Sequence, residues 1–97
     1  MIQIEFAQGV GEDLARIALH LLNHDAALAS ERLDQIELGL RVLQHHPLIG
    51  RRLDDQHREL VLGHDSHGYV AKYRYLPERQ MVLITALRAQ RESGYRR

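Results

Sequence analysis

Cysteine is absent from the 97 residues, which excludes a disulfide framework, a thiolate metal site and a thiol nucleophile. Lysine is nearly absent too: Lys72 stands alone among 13 basic residues, and the other twelve are arginine. Aromatic side chains are scarce at 5%. No stretch approaches the ~20 consecutive apolar residues of a bilayer span. The opening MIQIEFAQGVGED carries Glu5, Glu12 and Asp13 and lacks the basic start and apolar centre of a signal peptide. These absences lead to the expectation of a cytoplasmic protein, away from membranes, with no cofactor and no metal.

Net charge is missing as well, but only in the sum. Residues 1–50 hold three arginines against seven acids, and residues 51–97 hold ten basic against six acidic groups. The chain is an acidic half joined to a basic half. Arginine's planar fork grips phosphate or carboxylate at two points and keeps its charge when partly buried, so the bias suits an anionic partner. A genome rich in arginine codons would give the same bias with no partner involved. The hydrophobic share of 44% and charged share of 27% are those of a folded globular protein, and the length allows a single domain, 1–97, around one core.

The chain is organised around its last third. GYVAKYRY (68–75), the turn Leu76-Pro77-Glu78-Arg79, and MVLITALR (81–88) read as a β-hairpin with a loop longer than two residues. Alternation places Tyr69, Ala71, Tyr73 and Tyr75 on one face and Val70, Lys72 and Arg74 on the other. The tyrosine stripe is expected in the core beneath helices, its hydroxyls reaching the edge, and base stacking is the less favoured reading. Beyond the second strand, Arg88, Arg91, Tyr95, Arg96 and Arg97 gather where the sheet stops.

Upstream, IQIEF alternates Ile2, Ile4 and Phe6 against Gln3 and Glu5, a short half-buried strand. A helix is expected from near Gly11, with Glu12 and Asp13 as N-terminal charge and Leu14, Ile17, Ala18, Leu21 and Leu22 as its apolar stripe. A second helix from Ala26 carries Ala29, Leu33, Ile36, Leu40 and Leu43 as a narrow seam and ends before Pro47. HRELVLG then gives a strand on which Arg58 shares a face with Leu60 and Leu62. The expected class is α+β: an N-terminal strand, a two-helix antiparallel hairpin, then a three-stranded antiparallel meander, with the helices on one face. Seven histidines include the pairs His20/His24 and His64/His67, but neither has a convincing third ligand.

HHPLIGR after the second helix, REL opening the next strand, GYVAKYRY, and VLITALRAQRESGY at the end together resemble the RelE/ParE superfamily of bacterial toxins over almost the whole chain. The resemblance rests on the order of several short motifs, none specific alone. It implies a RelE/ParE-like β-α-α-β-β-β fold with a four-stranded sheet, and a cognate antitoxin whose C-terminal segment wraps the toxin in a heterotetramer or larger complex. It also implies growth inhibition when the toxin is free, and a role in plasmid stabilization. Two targets are implied. ParE-like members inhibit DNA gyrase and are not enzymes; RelE-like members are ribosome-dependent endoribonucleases that cut mRNA and so inhibit translation.

RNA cleavage requires a base for the 2′-hydroxyl, cations beside the phosphate and an acid for the leaving oxygen. On that reading the catalytic candidates are Arg58, Arg74, Arg88, Arg91 and Tyr95, the last placed where RelE-like nucleases often carry a tyrosine. Three features favour gyrase instead: Ala89 stands where such relatives often have histidine, no lysine pair precedes Arg58, and the neutral chain ill suits an RNA partner. The expectation is therefore gyrase inhibition, with mRNA cleavage as the alternative. A further possibility is that the arginines bind an acidic antitoxin segment and take no part in chemistry.

Overall fold

A computed structural model of the chain describes residues 1–24, 26–63, 68–92 and 94–95. The elements run β1 (Gln3–Phe6), α1 (Val10–His24), α2 (Ala29–Arg41), β2 (Arg51–Arg52), β3 (Arg58–Leu62), β4 (Tyr69–Leu76) and β5 (Met81–Ala89), with short 3₁₀ turns on both sides of α2 and at Pro77–Arg79. The α+β class and the element order match expectation. Two details differ. Among the described residues the sheet has five strands in the order β1-β5-β4-β3-β2, because Arg51 and Arg52 pair antiparallel with Glu59 and Arg58. Strand β1 lies parallel to β5, since the two helices between them return the chain to the end from which β1 started.

Both helices cover one face. Ile17 and Leu21 of α1 and Ala29, Ile36 and Leu40 of α2 pack with Leu43, Leu62, Tyr69, Ala71, Tyr73, Val82, Ile84 and Leu87 in one core. The seam of α2 is thus used inside the molecule, with Leu33 packed against its edge. The tyrosine stripe is core as expected: Tyr73 is fully buried, Tyr69 nearly so, and Tyr75 packs at the margin. Two expectations fail at the ends of elements. Phe6, the last residue of β1, is 53% exposed on the strand at the edge of the sheet, and Leu22, in the last turn of α1, is 58% exposed, while Leu21 beside it takes the core-facing place.

Strands β4 and β5 stay in step only because β5 carries one extra residue. Lys72 pairs with Ala86 and Tyr73 with Ile84, which leaves Thr85 unmatched in a bulge, its Oγ1 donating to the Lys72 carbonyl at 3.1 Å. Before the bulge Val82 and Ile84 face the core; after it Leu87 and Ala89 do. Had strict alternation continued from Ile84, Arg88 would have pointed into the core and Leu87 out of it. The bulge puts Arg88 on the side away from the helices. The hairpin turn closes by Gln80 N–H donating to the Pro77 carbonyl at 3.1 Å, with Gln80 left-handed at φ 48°.

The long connection after α2 is held from beneath. Tyr73 Oη donates to the Pro47 carbonyl at 2.8 Å and accepts from Gly50 N–H at 2.9 Å. Arg58 Nη1 donates to the carbonyls of Leu48 and Gly50 at 3.1 and 2.8 Å. Gly50 is required here, because a Cβ would stand 2.6 Å from the Tyr73 ring and 2.9 Å from the Glu59 carbonyl.

Candidate active site

Alternation from the core residues assigns the outward face of the sheet. Glu59 on β3, Lys72 and Arg74 on β4, and Arg88 on β5 are the polar side chains it carries in the middle, since their neighbours Leu60, Ala71, Tyr73 and Leu87 face the helices. The segment after β5 crosses this face and sets Tyr95 among them. Tyr95 Oη donates to Glu59 Oε2 at 2.7 Å. Arg88 Cζ stands 5.0 Å and Lys72 Nζ 5.6 Å from the centre of the Tyr95 ring, both over its face, an arrangement that joins the cations to the ring quadrupole.

Glu59 is the hub. Its side chain is 11% exposed and takes Arg51 Nη2 at 2.8 Å on one oxygen, while the other receives Tyr95 and lies 3.9 Å from Arg88 Nη2. Burial pulls its carboxyl upward, but the hydrogen bonds from Arg51 and Tyr95 and the charges of Arg51 and Arg88 outweigh burial and hold it below the ordinary range. Glu59 is therefore a carboxylate at neutral pH. Tyr95 is pushed the other way, first by burial and then by its hydrogen bond to the Glu59 charge, so it keeps its proton well above the usual phenol range. The guanidinium of Arg88 does not reverse this.

Arg88 is fixed from its Nη1 end, which donates to the carbonyls of Ala89, Gln90 and Glu92 at 3.1, 3.3 and 3.3 Å. Its Nε is buried without a hydrogen-bond partner among the described residues. Unpaired buried donors are uncommon and cost roughly 1–3 kcal/mol.

The structure thus brings two of the five sequence candidates, Arg88 and Tyr95, into one cluster. Arg74 shares their face, two residues along from Lys72 and opposite Leu83. Arg91 is exposed on the turn after β5. Arg58 lies on the other side of the sheet, at the rim, tying down the 48–50 backbone. Sequence reasoning missed Glu59, Lys72 and Arg51 as members. Glu59 and Lys72 were accessible by parity: each sits one residue from a core position on its strand.

Behind the cluster, on the helix side, lies a second network that the sequence reading did not contain. Asp13, read there as N-terminal charge on a helix, is 1% exposed. Its Oδ2 accepts Leu87 N–H at 2.9 Å and its Oδ1 accepts Arg16 Nη1 at 2.9 Å. Leu87 lies past the point where β1 stops pairing with β5, so the carboxylate takes the place of a missing strand. Arg16 also donates from Nε to Glu92 Oε1 at 3.0 Å, and from Nη2 to Glu92 Oε2 and the Leu87 carbonyl, both at 3.2 Å.

Metal chemistry finds no cluster of ligands. Among the described residues no group of three or more His, Asp or Glu converges; His20 and His24 stack at 4.3 Å, with His24 Nδ1 3.0 Å from the His20 carbonyl, while His64 and His67 lie outside the described residues. No helix is long and apolar enough to cross a membrane.

No protein-family model matches the chain. It is, however, 32% identical over 88 residues to Toxin RelE3 of Caulobacter vibrioides, an alignment that covers 91% of this chain and 94% of that protein. Similarity of that extent over nearly the whole of both chains is what relatives within one family share, and the chain belongs to the RelE/ParE superfamily of toxins from toxin-antitoxin systems.

Proposed function

We propose that the chain is a RelE-like toxin that cleaves mRNA on the ribosome, the alternative raised by the sequence, and that gyrase inhibition is the weaker reading. The observation that carries the proposal is the Glu59–Tyr95 pair bracketed by Arg88 and Lys72 on the open face. A carboxylate that lacks a proton and a phenol that keeps one, in contact with each other and flanked by cations, are the parts that 2′-hydroxyl attack on a phosphodiester requires. The name of the relative supports the same choice.

In this mechanism Arg88 and Lys72 take the scissile phosphate, and Arg74 lies along the same strand for the neighbouring one. The phosphate draws on Arg88, one of the two cations acting on Glu59, which raises the basicity of the carboxylate as it accepts the 2′-hydroxyl proton. The freed 2′-oxygen attacks phosphorus to give a 2′,3′-cyclic phosphate. Tyr95 Oη gives its proton to the departing 5′-oxygen. Tyr95 takes the part of the acid because its surroundings hold the proton on. As a member of this superfamily the chain has a cognate antitoxin as partner. The exposed Leu19 and Leu22 on α1 and Leu38 on α2 are the surface on which an amphipathic antitoxin segment would dock, in a heterotetramer or larger assembly.

Pulse labelling of protein and DNA synthesis directly after induction without antitoxin separates the targets. Translation is expected to fall first, and the purified protein to cut mRNA on programmed ribosomes. Arrest of DNA synthesis while translation continues would return the assignment to gyrase. Glu59→Gln is expected to slow cleavage by about 10²–10⁴-fold, the usual contribution of a positioned proton acceptor.

A further inference from the structure

We propose that Arg16 and Glu92 are positioning residues that hold Tyr95 over the open face from the opposite side of the sheet. This inference rests on the cluster's assignment as the active site, and it adds two residues that touch no substrate.

Tyr95 reaches the face on a short segment that follows β5. Within the described part of that segment, Gln90 N–H donates to the Gly68 carbonyl at 3.0 Å, and the side-chain hydrogen bonds that fix its course converge on two residues. Glu92 folds back so that Oε2 accepts Ala89 N–H at 2.7 Å as well as Arg16 Nη2, while Oε1 accepts Arg16 Nε. Arg88, on the other face, gathers the carbonyls of Ala89, Gln90 and Glu92. The turn is clamped from both sides, and Glu92 N–H donates to the Ala89 carbonyl at 3.1 Å to close it. Three residues further on, the chain presents Tyr95 to Glu59.

The helix-side clamp is built for rigidity. Arg16 and Glu92 are only 27% and 23% exposed, and their contact is bidentate, so it is worth more than an open surface pair, and its fixed fork geometry leaves the turn little freedom. Arg16 is in turn fixed by Asp13 and by the Leu87 carbonyl, so the first turns of α1 are coupled directly to the end of β5. Exposed pairs elsewhere, such as Arg41 with Glu37, join neighbouring residues of one helix and constrain nothing distant. Arg16 and Glu92 bind residues 76 apart in sequence. Loss of this clamp leaves the turn to Arg88 and to backbone hydrogen bonds, and the phenol then samples positions away from Glu59. Proton delivery suffers while phosphate binding by Arg88 and Lys72 is retained.

The test reads Tyr95 itself. Ultraviolet titration of tyrosinate, taken as the difference between each protein and its Tyr95→Phe counterpart, isolates this phenol. In the parent protein it is expected to ionise far above an ordinary tyrosine; in Glu92→Ala and in Arg16→Met it is expected to return toward about 10, the value of a solvated phenol. In ribosome cleavage assays the same variants are expected to lose about tenfold or more in single-turnover rate, with less than a twofold change in the half-saturating ribosome concentration. Glu92→Gln keeps an acceptor for Ala89 N–H and should recover part of both, and it replaces Glu92→Ala should that variant not fold. An unchanged Tyr95 titration in a folded Arg16 or Glu92 variant overturns the proposal, whatever the cleavage assay gives. Absence of cleavage in the parent protein with the expected titration shifts instead overturns the nuclease assignment and leaves the positioning intact.

Discussion

At the scale of single residues, the open face is governed by one proton shared unequally between two groups. Glu59 is held below its ordinary value of 4.5 and Tyr95 above its ordinary value of 10.0. A depressed carboxyl contributes stability that is present above about pH 4.5 and lost as pH falls through the lower folded value; a raised phenol contributes stability that is present below about pH 10 and lost as pH rises through the higher folded value. Urea midpoints measured across pH should therefore form a plateau between these limits. Tyr95→Phe should reduce the alkaline decline, and Glu59→Gln the acid one. Tyr73, also raised by burial, will keep part of the alkaline loss. Its hydroxyl serves a separate purpose: Tyr73→Phe leaves the buried Gly50 N–H and the Pro47 carbonyl without their partner, and equilibrium denaturation should show a loss of about 1–3 kcal/mol.

At the scale of elements, the alternation of apolar residues was enough to recover most strands, both helices and the burial of the tyrosine stripe, because period two and period 3.6 leave little ambiguity when one face is covered. What escaped was whatever depends on contacts distant in sequence. Arg51 and Arg52 become a strand only because Glu59 and Arg58 lie beside them. Asp13 looks like any acid in a first helical turn until Leu87 N–H appears above it. The Thr85 bulge has no signature within MVLITALRA, yet it decides which side Arg88 faces. Glu59 was hidden for a different reason: a lone acid on a basic face reads as a counter-ion. Deleting Thr85 tests the bulge. Removal of the extra residue sends Arg88 toward the core or forces a new kink, so the variant should fail to show a cooperative melt, whereas Thr85→Ala, which keeps the residue and loses the 3.1 Å hydrogen bond to the Lys72 carbonyl, should cost about 1 kcal/mol. Asp13→Ala removes a buried carboxylate together with the cap on Leu87, and calorimetry should show a loss of about 3 kcal/mol or more.

At the scale of the whole molecule, the two faces of the protein divide the labour. The sheet's outward side carries the cluster of charges around Glu59 and Tyr95; the helix side carries exposed leucines and, beneath them, the Arg16–Glu92 contact. Leu19→Glu combined with Leu22→Glu should weaken antitoxin binding by about 2 kcal/mol or more in calorimetric titration, as loss of apolar anchors does at interfaces, while leaving free toxicity unchanged. The parallel pairing of β1 with β5, with Gln3 beside Met81 and Phe6 beside Ile84, has its own consequence during synthesis. The first strand made must wait for the last before it finds a partner, and the Leu87 N–H that caps on Asp13 arrives at the same late moment. A chain whose last strand has yet to be made has neither a closed sheet nor a tyrosine beside its carboxylate. On the proposed reading, the geometry of the site assembles only after the last strand and the segment behind it have found their places.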